Sequence, residues 1–309
     1  MKRKVILDCD PGHDDAVAIL LAGIADEIEL LGVTTVAGNS YVENTTKNAL
    51  ILVENGNIKV PVCRGASKPL IRNQIVAPDI HGESGLEGAN LPNPRLKEDS
   101  RSAVKFMAEK VSEFQGEVTL CAVGPLTNIA SFFLAYPELV GKIKEVVIMG
   151  GGITFGNTTP VAEFNIYADP EAAQIVFNTY VPLTVFGLDV THQTKIFMDE
   201  IKKMQSFSSF IVSKMGVLLE FFHQTYYDVF RIEGAPLHDP CTIAYLIDPK
   251  IFEYEEYYGQ VELKGELTYG QTVVDYWKNS GKPVNSKWAI KADRERFINL
   301  LFSKLAQYQ

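Results

Sequence analysis

Four carboxylates fall within the eight residues Asp8-Cys9-Asp10-Pro11-Gly12-His13-Asp14-Asp15, directly after the apolar run Val5 to Leu7 and directly before a stretch with helical spacing. Acids this close at the end of a strand repel one another unless a cation sits among them. A divalent metal with oxygen ligands is the simplest remedy. Helix capping is the competing reading, because a helix N-terminus favours negative charge, but a cap uses one or two acids and leaves the others unexplained. An EF-hand loop is excluded. Counted from Asp8, its position 6 falls on His13 where glycine is needed, and its position 12 on Ile19 where glutamate is needed.

A strand followed by D-x-D also resembles the aspartyl-phosphate phosphotransferases of the haloacid-dehalogenase type, in which the first Asp, here Asp8, is the nucleophile. Against that reading, Pro11 stands where Thr or Val usually follows the second Asp, and Asp14-Asp15 come too early. Other polar segments fall where further strands of one sheet would end: TTVAGN at 34–39, VGPLTN at 123–128, Met149 with its three glycines, then Asn157 and Glu163-Phe164-Asn165. In open α/β sheets ligands bind beyond the carboxyl ends of the strands, so these loops should converge on one crevice. The dinucleotide spacing G-x-G-x-x-G fails because Phe155 takes its last position. Neutral amides with one carboxylate suit sugar hydroxyls better than phosphate.

The elements that must hold these groups read as repeated βα units. Strand candidates are Val5 to Leu7, Leu30 to Val36, Val60 to Cys63, Val118 to Val123, Val146 to Met149 and Leu183 to Phe186. Helical spacing appears in Asp15 to Ala22, Val42 to Glu54, Ser102 to Phe114, Thr127 to Ala135 and Pro170 to Asn178. Short apolar runs alternating with amphipathic stretches predict an α/β fold, a mostly parallel sheet flanked by helices. After Gly187 the alternation is lost. Asp199 to Phe230 reads as a helical, aromatic-rich lobe, and Val261 to Val274 as a C-terminal hairpin around Gly265 or Gly270. No Pro/Gly/Ser-rich linker interrupts the chain, so residues 1–309 are expected to form a single domain.

Composition narrows the partners. With 46% apolar and 22% charged residues the chain can bury a large core, and its net charge of −9 excludes a basic nucleic-acid platform. The apolar run Ala16 to Ala22 is far short of the ~20 residues a membrane span needs. The start lacks a small-residue cleavage site, so the expected location is cytoplasmic. Cys9, Cys63, Cys121 and Cys241 lie far apart without C-x-x-C and are expected as buried reduced thiols.

Together these segments resemble the nucleoside hydrolases, the inosine-uridine-preferring nucleoside N-ribohydrolases. The resemblance runs through DCDPGHDDAVAILLA, TTVAGN, HGESGL from His81, VGPLTN, VVIMGG, PVAEFNIYADPEAA, HDP at 238–240 and KGELTYGQTVVD. It implies a Rossmann-like fold, one tightly bound calcium ion (Ca2+), and hydrolysis of ribonucleosides to free base and ribose. Asp10, Asp15 and Asp239 would then be the calcium carboxylates, with the backbone carbonyl of Val123. Oxygen-only ligation agrees with calcium and argues against zinc. Asp10 would also be the general base. Asp14, Asn39, Asn157, Glu163 and Asn165 would hold the ribose, with Met149 and Phe164 lining its pocket.

His238, one peptide bond from Asp239, is the candidate acid for the leaving base. His81 matches a lid histidine of pyrimidine-preferring members, and Tyr226 and Tyr227 lie where the family contacts the base. His13, His192 and His223 are assigned to structure or solvent. His81 together with His238 favours a pyrimidine ribonucleoside, uridine or cytidine, with inosine as a further candidate. Family members are usually dimers or tetramers, so a homodimer or homotetramer is expected. A nucleoside-binding protein that has lost its chemistry is the non-enzymatic alternative.

Overall fold

Strands made of continuous Val, Ile and Leu runs have both faces covered, and this protein's central strands follow that rule. The structure, a computed structural model, describes residues 2–308. The first half supplies β1 (Arg3–Cys9), β2 (Ile28–Thr35), β3 (Val62–Arg64), β4 (Val118–Ala122), β5 (Glu145–Met149) and β6 (Leu183–Phe186). Every residue of β4 and β6 is buried. Helices His13–Ile24, Val42–Asn55, Ala103–Glu113, Thr127–Ala135 and Pro170–Phe177 alternate with these strands.

The later half adds a small pair, β7 (Lys195–Ile196) with β8 (Ala235–Pro236), then β9 (Phe252–Tyr257), β10 (Gly259–Val261), β11 (Thr272–Val274) and β12 (Ser286–Ala292). The main sheet has eight strands in the order β3-β2-β1-β4-β5-β6-β12-β9. All neighbours run parallel except β9, which is antiparallel to β12. The order reverses between β1 and β4, which opens the crevice where doubly wound sheets bind ligands. One apolar layer, around Leu20, Leu52, Leu219 and Leu301, covers one face of the sheet. The other, around Phe106, Phe132, Phe177 and Trp288, covers the opposite face.

The predicted βα units are present within a few residues of their expected ends. The helical lobe is two helices, Met198–Gln205 and Phe210–Phe230, broken at the serine-rich turn between them. They cross so closely at Gly216 that a Cβ there would lie 2.7 Å from the backbone nitrogen of Gln205. The hairpin is β10 with β11, paired from Gly259↔Val274 to Val261↔Thr272, and both Gly265 and Gly270 lie in its long turn. Two strands the sequence did not reveal, β9 and β12, complete the sheet. In β9 only the two end residues, Phe252 and Tyr257, are buried, because it is the antiparallel edge. Helices Pro240–Ile247 and Arg294–Leu305 were likewise unforeseen. The four cysteines are buried and unbridged. Among the described residues no helix is long and apolar enough to cross a membrane.

Candidate active site

The switch point is built from the loops that leave β1 and β4. Asp8 still belongs to β1 and faces away from the crevice: its Oδ1 accepts from Thr34 Oγ1 at 2.5 Å and from Asn128 Nδ2 at 2.8 Å. Burial pushes its carboxyl up to about 7. Turned from the crevice and held by Thr34 and Asn128, Asp8 is not positioned as a phosphorylated nucleophile, so the phosphotransferase reading fails on geometry.

Beyond Asp8 the chain turns at Pro11-Gly12 into helix His13–Ile24. Asp15 reaches back to hold that turn, accepting from Gly12 N at 2.9 Å and Asp10 N at 3.1 Å, the N3 half of a capping box. Asn39, in the loop that follows β2, donates from its backbone N to Asp10 Oδ2 at 2.7 Å. Its side-chain amide reaches Asp10 O and Asp15 Oδ2, both at 3.1 Å. The glycines beside Asp10 leave it room, since a Cβ on Gly38 would lie 2.1 Å from its Oδ2 and one on Gly124 2.5 Å from its Oδ1.

Asp239, the N-terminal residue of the Pro240–Ile247 helix, brings a further acid. Asp14, Asp15 and Asp239 each offer a carboxylate oxygen within 4.8 Å of the others. This grouping has Asp14 where the expected set has Asp10, one of whose oxygens, Oδ2, accepts from Asn39 N. The other, Asp10 Oδ1, is buried with no hydrogen-bond partner. Burial followed by the charge of neighbouring acids raises Asp10 and Asp239 well above the usual carboxylate range, and Asp14 to about 7. Asp15 is pushed up to about 6, chiefly by burial. The Val123 carbonyl accepts one bond, from Asn165 Nδ2 at 2.8 Å, and keeps a lone pair free. An orphaned buried oxygen, mutually repelling acids and an all-oxygen donor set fit a hard divalent cation.

A cavity of about 400 Å³ opens above this floor. On one side Glu163 caps the short helix Phe164–Ala168, accepting from Asn165 N at 3.0 Å and Ile166 N at 3.2 Å, and it also binds Gly151 N at 2.8 Å. Burial lifts Glu163 to about 7. Asn157 joins it through a 2.9 Å bond from Phe164 N. Asp14, Asn39, Val123, Met149, Asn157, Glu163, Phe164, Asn165, His238 and Asp239 all line the cavity, whereas Asp10 and Asp15 lie beneath it.

The opposite wall comes from helix Phe210–Phe230 and the segment 75–81. Tyr226 Oη lies 2.6 Å from His238 Nε2, and Thr191 Oγ1 lies 2.8 Å from His238 Nδ1, so both ring nitrogens are engaged. Burial holds His238 well below the usual imidazole range and Tyr226 well above the usual phenol range. Tyr227 does not join them. It is 45% exposed and outside the cavity, because the residue after a helix position points about 100° away.

His81 is in the wall but buried, stacked on His13 and Phe222. The Nδ1 atoms of His81 and His13 are 3.1 Å apart, and His13 Nε2 lies 2.8 Å from the Glu87 carbonyl. A carbonyl only accepts, so His13 donates to it from Nε2–H, while His81 Nδ1 lies within reach of both the His13 ring and, at 3.4 Å, the His13 backbone N–H. His13 thus holds His81 in the wall through its ring and its backbone. His192 packs between His238 and Phe155, and His223 is half-buried outside the cavity. Thr191, Phe222, Phe230 and the 75–80 segment had not been foreseen. The spacing Phe222, Tyr226, Val229, Phe230 marks one helix face and could have separated Tyr226 from Tyr227.

Comparison with known proteins gives the family. The chain is 45% identical over 310 residues to a pyrimidine-specific ribonucleoside hydrolase, RihA, of Shewanella sp. (strain ANA-3), covering all of this chain and 98% of that one. It is 43% identical to the protein of the same name in Escherichia coli O1:K1 / APEC, covering both chains completely. The solved plant nucleoside hydrolase PpNRh1 superimposes with a TM-score of 0.94 at 31% identity, covering 99% of this chain and 100% of that one. A purine-preferring ribonucleoside hydrolase from Gardnerella vaginalis gives 0.93 at 31% identity, with 98% of each chain covered. Residues 5–299 match the family described as inosine-uridine preferring nucleoside hydrolase. The chain belongs to that family and is a hydrolase of ribonucleoside N-glycosyl bonds.

Proposed function

We propose that the protein hydrolyses pyrimidine ribonucleosides to free base and ribose with the help of one calcium ion, and that residues 1–309 form a single domain for this purpose. The observation that carries the reading is the junction, in one cavity, of buried acids without a cationic partner, the Glu163-Asn157-Asn165 group, and the Tyr226-His238 pair. Relatives named pyrimidine-specific over their full length support the base class. Strands from residue 3 to residue 292 in one sheet support the single domain.

Asp10, Asp15, Asp239 and the Val123 carbonyl would hold the cation, with Asp14 beside them. Bound there, a divalent cation supplies Lewis-acid polarisation of water and of the sugar diol. The free oxygen of Asp10 is placed to take the proton of the attacking water. Asp14, Asn39, Asn157, Glu163 and Asn165 grip the ribose and stabilise the positive charge that grows on the ring as its C–N bond breaks. With His238 neutral, the arrangement that serves the base has Thr191 Oγ1 donate to Nδ1 and Nε2–H donate to Tyr226. The tyrosine's own proton is then free to reach the departing base, and the phenolate left behind, held by the His238 Nε2–H, regains its proton from water once the products leave.

The test is a kcat/KM panel over uridine, cytidine, inosine, adenosine and guanosine on calcium-loaded enzyme, following release of free base. Pyrimidine nucleosides should lead. No base release from any of the five would overturn the assignment, and a lead by a purine nucleoside would overturn the base class.

A further inference from the structure

The cavity wall that begins at Ile75 and Val76 has no ladder of backbone bonds to hold it. Among the described residues, the strap 71–76 neither gives nor takes a backbone–backbone hydrogen bond, and of its side chains only that of Arg72 makes any hydrogen bond. The strap is tied at its two ends. Before it, Leu70 N donates to the buried Asp169 Oδ2 at 2.9 Å. After it, Ala77 N donates to Asn39 O at 3.1 Å, and His81 stacks on His13.

Arg72 supplies the hold between these ends. Its guanidinium donates to Tyr167 O, and its Cζ lies 4.1 Å from the ring centroid of Tyr167 and 5.4 Å from that of Tyr269. Both rings are within cation–π reach. The seat they form is itself braced. The two rings meet edge to face with centroids 6.4 Å apart, and Tyr269 Oη donates to Glu171. Gly270, at a φ of +81°, brings the hairpin turn so near that a Cβ there would lie 3.0 Å from Tyr167 Cα. Tyr269 and Glu171 belong to the sequence stretches KGELTYGQTVVD and PVAEFNIYADPEAA, yet neither lines the cavity.

We propose that Arg72 is a positioning residue for nucleoside binding: lodged against Tyr167 and Tyr269, it seats the strap that carries Ile75 and Val76 into the cavity wall. Arg72 itself stays outside the cavity and touches no reacting atom. Ile75 and Val76 are apolar and meet the substrate alike before and during cleavage of the C–N bond. An unseated strap therefore lowers the fraction of enzyme competent to bind, which raises KM and leaves the step after binding as it was.

The experiment follows base release from uridine and from inosine, with calcium present. It compares wild type with Arg72→Ala, Arg72→Lys, Tyr269→Ala, Tyr269→Phe and the double variant Arg72→Ala/Tyr269→Ala, with a melting curve for each. Arg72→Ala should raise KM on either nucleoside by roughly tenfold, the range of one hydrogen bond to a charged group, while kcat stays close to that of wild type. Arg72→Lys keeps the cation and Tyr269→Phe keeps the ring, so both should retain most of the affinity. Tyr269→Ala should match Arg72→Ala, and the double variant should be no worse than either, because a shared seat is lost only once. Unchanged KM in both alanine variants overturns the inference, whether or not their melting temperatures fall. So does a loss that appears in kcat alone, or one that multiplies in the double variant.

Discussion

Tyr226 and Tyr227 are adjacent, yet only the first can meet a substrate, and the difference lies in helix geometry. Tyr226 lends its hydroxyl to His238 in a dry wall, whereas Tyr227 is partly in solvent. If the Tyr226–His238 pair supplies the proton for the leaving base, the loss of His238 should matter most where that base leaves poorly. His238→Ala is expected to lose about 10²-fold or more in kcat on natural nucleosides, the usual range for a general acid. It should lose far less on p-nitrophenyl riboside, whose leaving group needs no proton. Equal losses on both would make His238 a holder of Asp239 or of the sugar. At this scale the acids were legible because their types and spacing are local: four carboxylates after one strand announce themselves without a fold. Thr191 was not legible, since nothing in a lone threonine says that an imidazole 47 positions away will need its hydroxyl.

The parallel strands could be read because burial on both faces leaves unbroken apolar runs. The edge strand β9 could not, because only its ends are buried. The hairpin was visible as an element, but its link to the site was not. Thr272, in β11, accepts from Gly152 N at 2.9 Å and donates to Gly152 O at 2.5 Å, with its side chain buried. Gly151, held at a φ of +73°, gives its N–H to Glu163. The distant hairpin thus clamps the glycine turn that orients the ribose-facing carboxylate. Thr272→Val keeps the shape and removes both bonds, leaving a buried N–H and C=O unpaired at about 1–3 kcal/mol. It should raise KM for nucleosides and lower kcat/KM by roughly tenfold, with Thr272→Ser restoring both. A valine variant that lowers only the melting temperature would confine the clamp to folding.

Across the whole molecule, charge is arranged so that no cation of the protein's own reaches the switch point. The net charge is −9, and among the described ion pairs every Lys and Arg partner is an acid other than Asp10, Asp14, Asp15 or Asp239. Among the described residues no Lys or Arg lines the cavity. Buried acids without a counter-charge cost folding energy, so the site is a strain that a bound cation relieves. Asp14 is the cleaner probe, since its carboxyl is bonded only within the acid cluster, to Asp239 and its own backbone, whereas Asp15 also caps its helix. Asp14→Asn should therefore stabilise the chelator-treated protein, raising its melting temperature by roughly 2–4 °C for each ~1 kcal/mol of repulsion removed. The same change should shrink the rise in melting temperature that calcium gives back and cut turnover, the exchange of stability for function expected of a charged site. Calorimetry of wild type and variant, with EDTA and then with excess calcium, reads both effects. If Asp14→Asn lowers the melting temperature of the EDTA-treated protein, or if calcium stabilises neither protein, the acids are held by something other than a missing cation.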